Sequence, residues 1–343
     1  MSEYYVAWWN VENLYDVMPW EERARKVKNL KDLRTKLKDW DDAALEKKLG
    51  QLAEIIKEMN NGRGPDILGV CEIENENVLR SLKDKIKSDS LAYRNYDIIH
   101  HDSPDPRGID VAFIYDRDLF GFYVKNPNAP EGSDDRRYWF SYEVIKRSPT
   151  RDIFQVNFHP KEEPTKPLIL IGNHWPSRLG GVYETEPYRI IAAETLSYFN
   201  LRIQQVYGNR TPILVMGDFN DDPSNRSMTQ YALSNRNEDV VVNARTPSLF
   251  NLMWPLMDSG YGTFWFDGPF FFDQFLVSKG FLVNNGTFSV VKDSVEVIHT
   301  KKMWENPKGE YPRPREFGWK PRDPLGYSDH FPIALKIKNH DSE

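Results

Sequence analysis

The chain has 343 residues, of which 40% are hydrophobic and 13% aromatic, enough for a substantial core, and it carries a formal charge of −6. That acidic balance argues against a broad basic nucleic-acid surface while leaving room for a local basic rim. A single cysteine, Cys71, excludes an intrachain disulfide, and no apolar run approaches the roughly 18 residues that a membrane-spanning helix needs.

The first strand-like run is Tyr4-Tyr5-Val6-Ala7-Trp8-Trp9, ending in Asn10-Val11-Glu12-Asn13. Nothing before it resembles an export leader, as expected of a cytoplasmic protein, or of a secreted one whose leader has been removed. A Lys-rich section from Glu21 to about Lys48 merges into a helix with Leu45, Leu49, Leu52, Ile56 and Met59 on one face. Its alternating charges read as a solvated face, or alternatively as a basic arm toward substrate. Asn61-Gly62-Arg63-Gly64-Pro65 stops the helix. A second strand, residues 66–71, ends in Glu72-Ile73-Glu74-Asn75; a short helix through Leu79, Leu82 and Ile86 follows, then a strand at 96–99. The turn Ser103-Pro104-Asp105-Pro106-Arg107-Gly108 leads into a strand over 109–115, and 126–135 reads as an exposed loop.

Leu168-Ile169-Leu170-Ile171 is a strand ending in Asn173-His174-Trp175-Pro176-Ser177-Arg178. The strongest helix pattern comes next, with Ala192, Leu196, Phe199, Ile203 and Val206 on one face. It returns to the strand Pro212-Ile213-Leu214-Val215, which exits into Met216-Gly217-Asp218-Phe219-Asn220-Asp221-Asp222. Taken alone, that heptapeptide is good turn chemistry. What outweighs the turn is recurrence: strand after strand ends in Asn, Asp, Glu or His, the pattern of an α/β fold with its site assembled at one sheet edge. Residues 262–278 predict a hairpin about Asp267-Gly268. Asp273 lies within its apolar second half and needs a specific partner. A loop rich in Pro, Lys and Arg precedes Ser328-Asp329-His330 and a closing strand over 331–337. No boundary or repeat divides the chain, so one domain over 1–343 is expected.

Seven short motifs occur in order: Trp9-Asn10-Val11-Glu12-Asn13-Leu14, Cys71-Glu72-Ile73-Glu74-Asn75, Arg107-Gly108-Ile109-Asp110-Val111, Asn173-His174, Gly217-Asp218-Phe219-Asn220, Asp273 in Phe-Asp-Gln-Phe-Leu-Val-Ser, and Ser328-Asp329-His330. Together they resemble the endonuclease/exonuclease/phosphatase superfamily, the relatives of pancreatic deoxyribonuclease, from Trp9 to Pro332. The resemblance implies a four-layer α/β sandwich, with two mixed sheets face to face and helices outside. It also implies that Asn10, Glu72 and Asp329 hold a divalent metal, that Asp218 orients or deprotonates the attacking water, and that Asn220 positions water and phosphate. His174 and His330 would contact the phosphate, with Asp273 orienting His330. Cys71 stands where relatives often have Gln, a departure of little weight because neighbours in a strand point to opposite faces.

The chemistry supports the same reading. Phosphate-ester hydrolysis requires neutralised oxygens, an in-line water and a stabilised leaving group. Hard oxygen donors without a Cys or His pair at metal spacing favour Mg²⁺ or Mn²⁺ over Zn²⁺. Arg107, Asn173 and Arg178 are candidates for substrate contact, since Arg suits bidentate phosphate binding. The expected activity is a phosphodiester hydrolase, an endonuclease on DNA or RNA. The alternatives are a phosphomonoesterase, a sphingomyelinase-like phospholipid esterase, or a non-catalytic binding protein of the same fold. Arg136-Arg137-Tyr138-Trp139 and the run Lys301–Arg322 are candidate rims for a nucleic-acid partner, and a monomer is expected.

Overall fold

The computed structural model describes residues 2–319 and 322–340; Lys320 and Pro321, within the proposed basic run, lie outside them. The strands are β1 (Glu3–Leu14), β2 (Ile67–Ile73), β3 (Tyr96–His100), β4 (Asp110–Asp116), β5 (Phe120–Phe122), β6 (Trp139–Tyr142), β7 (Ile153–Pro160), β8 (Leu168–His174), β9 (Ile213–Asp218), β10 (Ser234–Asn235), β11 (Leu249–Asn251), β12 (Phe264–Trp265), β13 (Pro269–Phe270), β14 (Asp273–Val277), β15 (Phe288–Val290), β16 (Glu296–Val297) and β17 (Ile333–Asn339). The helices are α1 (Arg25–Lys28), α2 (Lys31–Leu37), α3 (Asp42–Gly62), α4 (Glu76–Ile86), α5 (Val182–Tyr207) and α6 (Glu238–Asn243).

Two mixed sheets form. The first has the order β15-β17-β1-β2-β4-β3, with β16 also on β17; the second has the order β10-β11-β14-β9-β8-β7-β5, with β6 also on β7. Among the described residues only β1–β2 in the first, and β8–β9 and β10–β11 in the second, run parallel. The period of two along each strand sends one set of side chains between the sheets and the other toward the helices. Thus Ile169, Ile171, Ile213 and Val215 pack with Ala192, Leu196 and Ile203 of α5, whereas the first sheet packs against Leu45, Leu49, Leu52 and Ile56 of α3 and Val78, Leu79 and Leu82 of α4. The result is the expected four-layer sandwich.

Between the sheets the fit is tight around Trp8, which is fully buried. A Cβ on Gly69 would lie 2.6 Å from the Trp8 ring and 3.0 Å from Met216 of the opposite sheet. One on Gly172 would lie 2.5 Å from Val111 and 3.4 Å from Trp8. These two glycines give the indole its room.

Several elements differ from expectation. β7 is absent from the strands that the sequence predicts; the alternation Ile153-Phe154-Gln155-Val156-Asn157-Phe158 is the signal that marks it, and Gln155 and Asn157 are buried because they bond each other at 2.6 Å. The predicted hairpin shrinks to β12–β13, and its second half breaks at Phe271-Phe272 so that β14 can join β9. On α5, Val206 is 43% exposed, while Arg189 and Asn200 are buried in the stripe expected to be apolar. The Lys-rich section contains α1 and α2, whose Val27, Leu33 and Leu37 anchor it to the core.

Gly172→Ala should lower stability by about 1–3 kcal/mol, the usual cost of overpacking a filled core, read as a fall in the urea midpoint. An unchanged midpoint would show that the sheets are not in contact there.

Candidate active site

The strand registers bring the polar exits together. Across the second sheet, Asp273 pairs with Asp218 and Asp218 with His174, so three strands present three ionisable side chains in a row. Across the first sheet, Asn10 pairs with Cys71, which places Glu72 beside it. Past that point both strands leave regular geometry: Glu12, Asn13 and Glu72 have φ of 52°, 54° and 68°. In regular strand geometry Glu72 would point opposite to Cys71; the left-handed turn at Glu72 accompanies its return toward the site.

The two rows meet at Asp218. Its Oδ2 accepts from Asn10 Nδ2 at 3.0 Å and lies 3.7 Å from His174 Nε2 and 3.8 Å from His330 Nε2. His174 Nε2 is also 3.6 Å from Glu72 Oε1. The other Asp218 oxygen accepts the Asn220 N–H at 2.9 Å, which sets Asn220, at φ 52°, beside it; the Asn220 amide donates to the Trp175 carbonyl at 3.1 Å. Asp273 is fully buried and accepts from Trp8 Nε1 at 3.0 Å while meeting His330 Nδ1 at 2.6 Å. His330 is the partner that the apolar surroundings of Asp273 demand. Ser328 closes the loop by donating to the Asn10 carbonyl at 2.7 Å.

The two imidazoles are driven apart in charge. Burial lowers the His174 ring well below its ordinary value, and Arg151, Arg107 and His330 lower it further, so it is neutral. Burial also works against the His330 cation, but Asp273, Asp218 and Asp329 outweigh it and raise the ring well above its ordinary value. Desolvation, against the pull of His330, pushes the Asp218 carboxyl up to about 6. Desolvation likewise pushes Asp329 up to about 8 against the pull of His330, with Glu12 and Glu72 adding repulsion.

The expected metal-binding set can be tested on this geometry. Among the described residues no three His, Cys, Asp or Glu side chains converge as a ready cation site; the expected set offers two carboxylates and an amide. Asn10 Oδ1 already accepts the Glu12 N–H at 3.0 Å, and Glu72 Oε2 the Asn13 N–H at 2.7 Å, so each keeps lone pairs to spare. Asp329, pushed up to about 8 by desolvation with Glu12 and Glu72 adding repulsion, marks a cluster short of positive charge. A hard divalent cation fits that chemistry, and a Mg²⁺ ion that keeps several waters needs no more donors.

The three substrate-contact candidates fall differently. Arg107 is 35% exposed at its side chain, 3.7 Å from Asp105, and feels Glu72. Asn173 is fully buried, donating to the Ile171 and Met216 carbonyls and accepting from Trp175 Nε1 at 3.1 Å. Arg178 donates to the Asn220 carbonyl at 2.8 Å and to Asp221 and Asn225, stacked over Phe270 and Phe272. Asn173 and Arg178 therefore spend their hydrogen bonds on the strand exits themselves. Glu74 pairs with Arg23, and Asn75 caps α4.

Arg151 is a support that the sequence does not single out. Buried, it donates to the carbonyls of His174 at 3.1 Å and Trp175 at 2.5 Å and pairs with Asp105 at 3.2 Å. It ties the Arg107 turn to the His174 exit. An Arg two residues before the alternating run of β7 is the only signal, and it does not distinguish a site support from a surface cation.

With the geometry in place, the chain can be assigned to a class. The sequence profile of the endonuclease/exonuclease/phosphatase family matches residues 5–339, and the chain belongs to that family. Among solved structures it is similar to the human nocturnin catalytic domain with bound sulfate (16% identity, TM-score 0.54, 98% of this chain and 95% of that one). It is also similar to a mannosyl-6-phosphatase of Bacteroides thetaiotaomicron (16%, 0.54, 98% and 99%), and to ANGEL2, a 2',3'-cyclic phosphatase in complex with adenosine-2',3'-vanadate (11%, 0.58, 98% and 95%). At these identities the likeness is one of fold. No curated protein matches the sequence.

Asp273→Asn and His330→Ala should each lower phosphoester turnover by roughly 10²–10⁴-fold, and the double variant should be little worse than either, because the pair acts as one unit. Losses that multiply in steady-state assays would contradict a shared role.

Proposed function

We propose that this protein is a divalent-metal-dependent phosphodiester hydrolase acting on nucleic acid as an endonuclease. The observation that carries the reading is the convergence on Asp218 Oδ2 of Asn10, a neutral His174 and a cationic His330, all within 3.8 Å. A carboxyl raised to about 6 is a better proton acceptor than an ordinary aspartate and is still ionised at neutral pH. Asp218 takes a proton from the attacking water, and the Asn220 amide helps to orient that water. The His330 cation, fixed through Nδ1 by Asp273, directs Nε2 toward the phosphate and offsets charge on its oxygens; His174 adds a neutral contact. Arg107, part-exposed at the rim beside Asp105, reaches a further phosphate oxygen. Asn10, Glu72 and Asp329 would hold the metal, Mg²⁺ or Mn²⁺, which when bound neutralises phosphate charge and the departing oxygen.

Support for a polyanionic substrate comes from exposed Arg136, Arg137, Lys301, Lys308 and Arg313, with Phe266 69% exposed nearby in sequence to β12. The Lys301–Arg322 run is less available than its composition suggests. Lys302 pairs with Glu54 and Glu58, Arg315 with Asp323, and Arg322 donates to the Asp39 carbonyl. That pairing favours, as the second reading, a smaller phosphate ester, whether a phosphomonoester or a phospholipid headgroup. Among the described residues no helix is long and apolar enough to cross a membrane.

A closed circular DNA and an RNA, incubated with Mg²⁺ or Mn²⁺, should be cut internally, with a shallow salt dependence because an acidic protein contacts few phosphates. If both stay intact while a phosphate monoester or sphingomyelin is turned over, the nucleic-acid reading fails. Chelator, or Glu72→Gln, should remove most turnover while the chain stays folded by circular dichroism; full activity in either case would contradict metal dependence.

A further inference from the structure

The charge pattern of α3 predicts a solvated face, yet Lys48 is only 1% exposed at its side chain. It sits on the buried stripe next to Leu45, Leu49 and Leu52, facing the end of β1. Its ammonium lies 3.4 Å from Glu12 Oε2 and 4.9 Å from the centre of the Phe317 ring, two contacts that both favour the cation. Glu12 is equally occupied: Oε2 accepts the Phe317 N–H and Oε1 the Gly318 N–H, each at 2.8 Å. Glu12 thus joins the β1 exit, α3 and the 317–318 segment, two residues from Asn10 and within electrostatic reach of Asp329. Burial lowers the Lys48 ammonium below its ordinary range, and Glu12, Asp329 and Glu72 oppose that loss of charge. A third carboxylate within electrostatic reach of the proposed ligands adds negative charge that would strengthen cation binding unless something else offsets it.

We propose that Lys48 is a positioning residue that serves as the fixed counter-cation of this acidic group, holding Glu12 out of the metal's coordination set so that the site takes one divalent ion per chain. The inference rests on the metal-dependent reading above. A lysine ammonium within the group supplies one positive charge that cannot exchange, and one backbone donor on each Glu12 oxygen fixes the carboxylate toward the 317–318 segment. Removing the lysine leaves a buried carboxylate without its cation, and with Mn²⁺ in excess at neutral pH the added negative charge draws a divalent ion more strongly.

The test is Mn²⁺ binding to the full-length protein by equilibrium dialysis, without substrate. The wild type should bind one equivalent. Lys48→Met should bind a second equivalent or hold the first about tenfold tighter, the effect of one unbalanced charge a few ångströms away. Glu12→Gln leaves Lys48 unpaired beside the site and should weaken binding by a similar factor. Glu12→Gln/Lys48→Met removes a neutral pair and should return close to the wild-type affinity. A double variant as weak as Glu12→Gln would make Glu12 a ligand and overturn the proposal, as would two equivalents in the wild type or wild-type binding in Lys48→Met. Should Lys48→Met not fold, Glu12→Gln and the double variant, in which no carboxylate is left unpaired, decide the matter by the same comparison. A wild type that binds no Mn²⁺ would instead overturn the metal-dependent reading itself, and this proposal with it.

Discussion

The fully buried carboxylate of Asp273 is the constraint on which the site depends. A charge taken out of water is costly unless it is paired and hydrogen-bonded, and Asp273 on β14 finds its partners only across the sandwich: Trp8 Nε1 on β1 and His330 Nδ1 just before β17. Those bonds cannot form unless the two sheets stack in one register. The indole that donates to Asp273 is the same one that fills the space left by Gly69 and Gly172. Sheet packing and the orientation of His330 are therefore one problem with one solution. Trp9 reinforces it from the other face of β1, donating to the His330 carbonyl at 2.9 Å.

Around that link the strand ends accept strain. Glu12, Asn13, Glu72 and Asn220 all lie in the left-handed region, where a non-glycine residue costs on the order of 1–3 kcal/mol. They cluster at the edge where the polar groups meet. Three of the four have a visible compensation: Asn13 N–H reaches Glu72, Asn220 N–H reaches Asp218, and Glu12 takes two backbone donors and Lys48. Strain and hydrogen bonding offset each other there, and the side chains are aimed inward as a result.

Much of this is legible in the sequence because the relevant residues follow apolar runs. Asp218 after Ile213–Val215 and His174 after Leu168–Ile171 need only strand geometry to be placed at exits, and a carboxylate such as Asp273 within an apolar run demands a partner on desolvation grounds alone. Residues whose roles come from cross-strand register are not legible. Asn173 and Arg178 read as substrate contacts, but whether an amide or guanidinium faces outward depends on which carbonyls lie opposite, and here the carbonyls of Met216 and Asn220 do. Lys48 and Arg151 sit in charged or mixed runs where pattern favours solvent. They are buried only because acidic groups distant in sequence, Glu12 and Asp105, come to meet them. The pairing of Lys302 with α3 is hidden for the same reason.

The exits of both sheets are proposed to form one phosphate-ester site, with a metal held by Asn10, Glu72 and Asp329 of the first sheet and the phosphate met by His330 of that sheet and His174 of the second. A crystal soaked with Mn²⁺ and inorganic phosphate, with data collected at the manganese edge, tests it most directly. An anomalous peak bonded to Asn10, Glu72 and Asp329 is expected, with a phosphate bridging from it to His174 and His330. Manganese on Glu12, or a phosphate bound away from the two histidines, would contradict it.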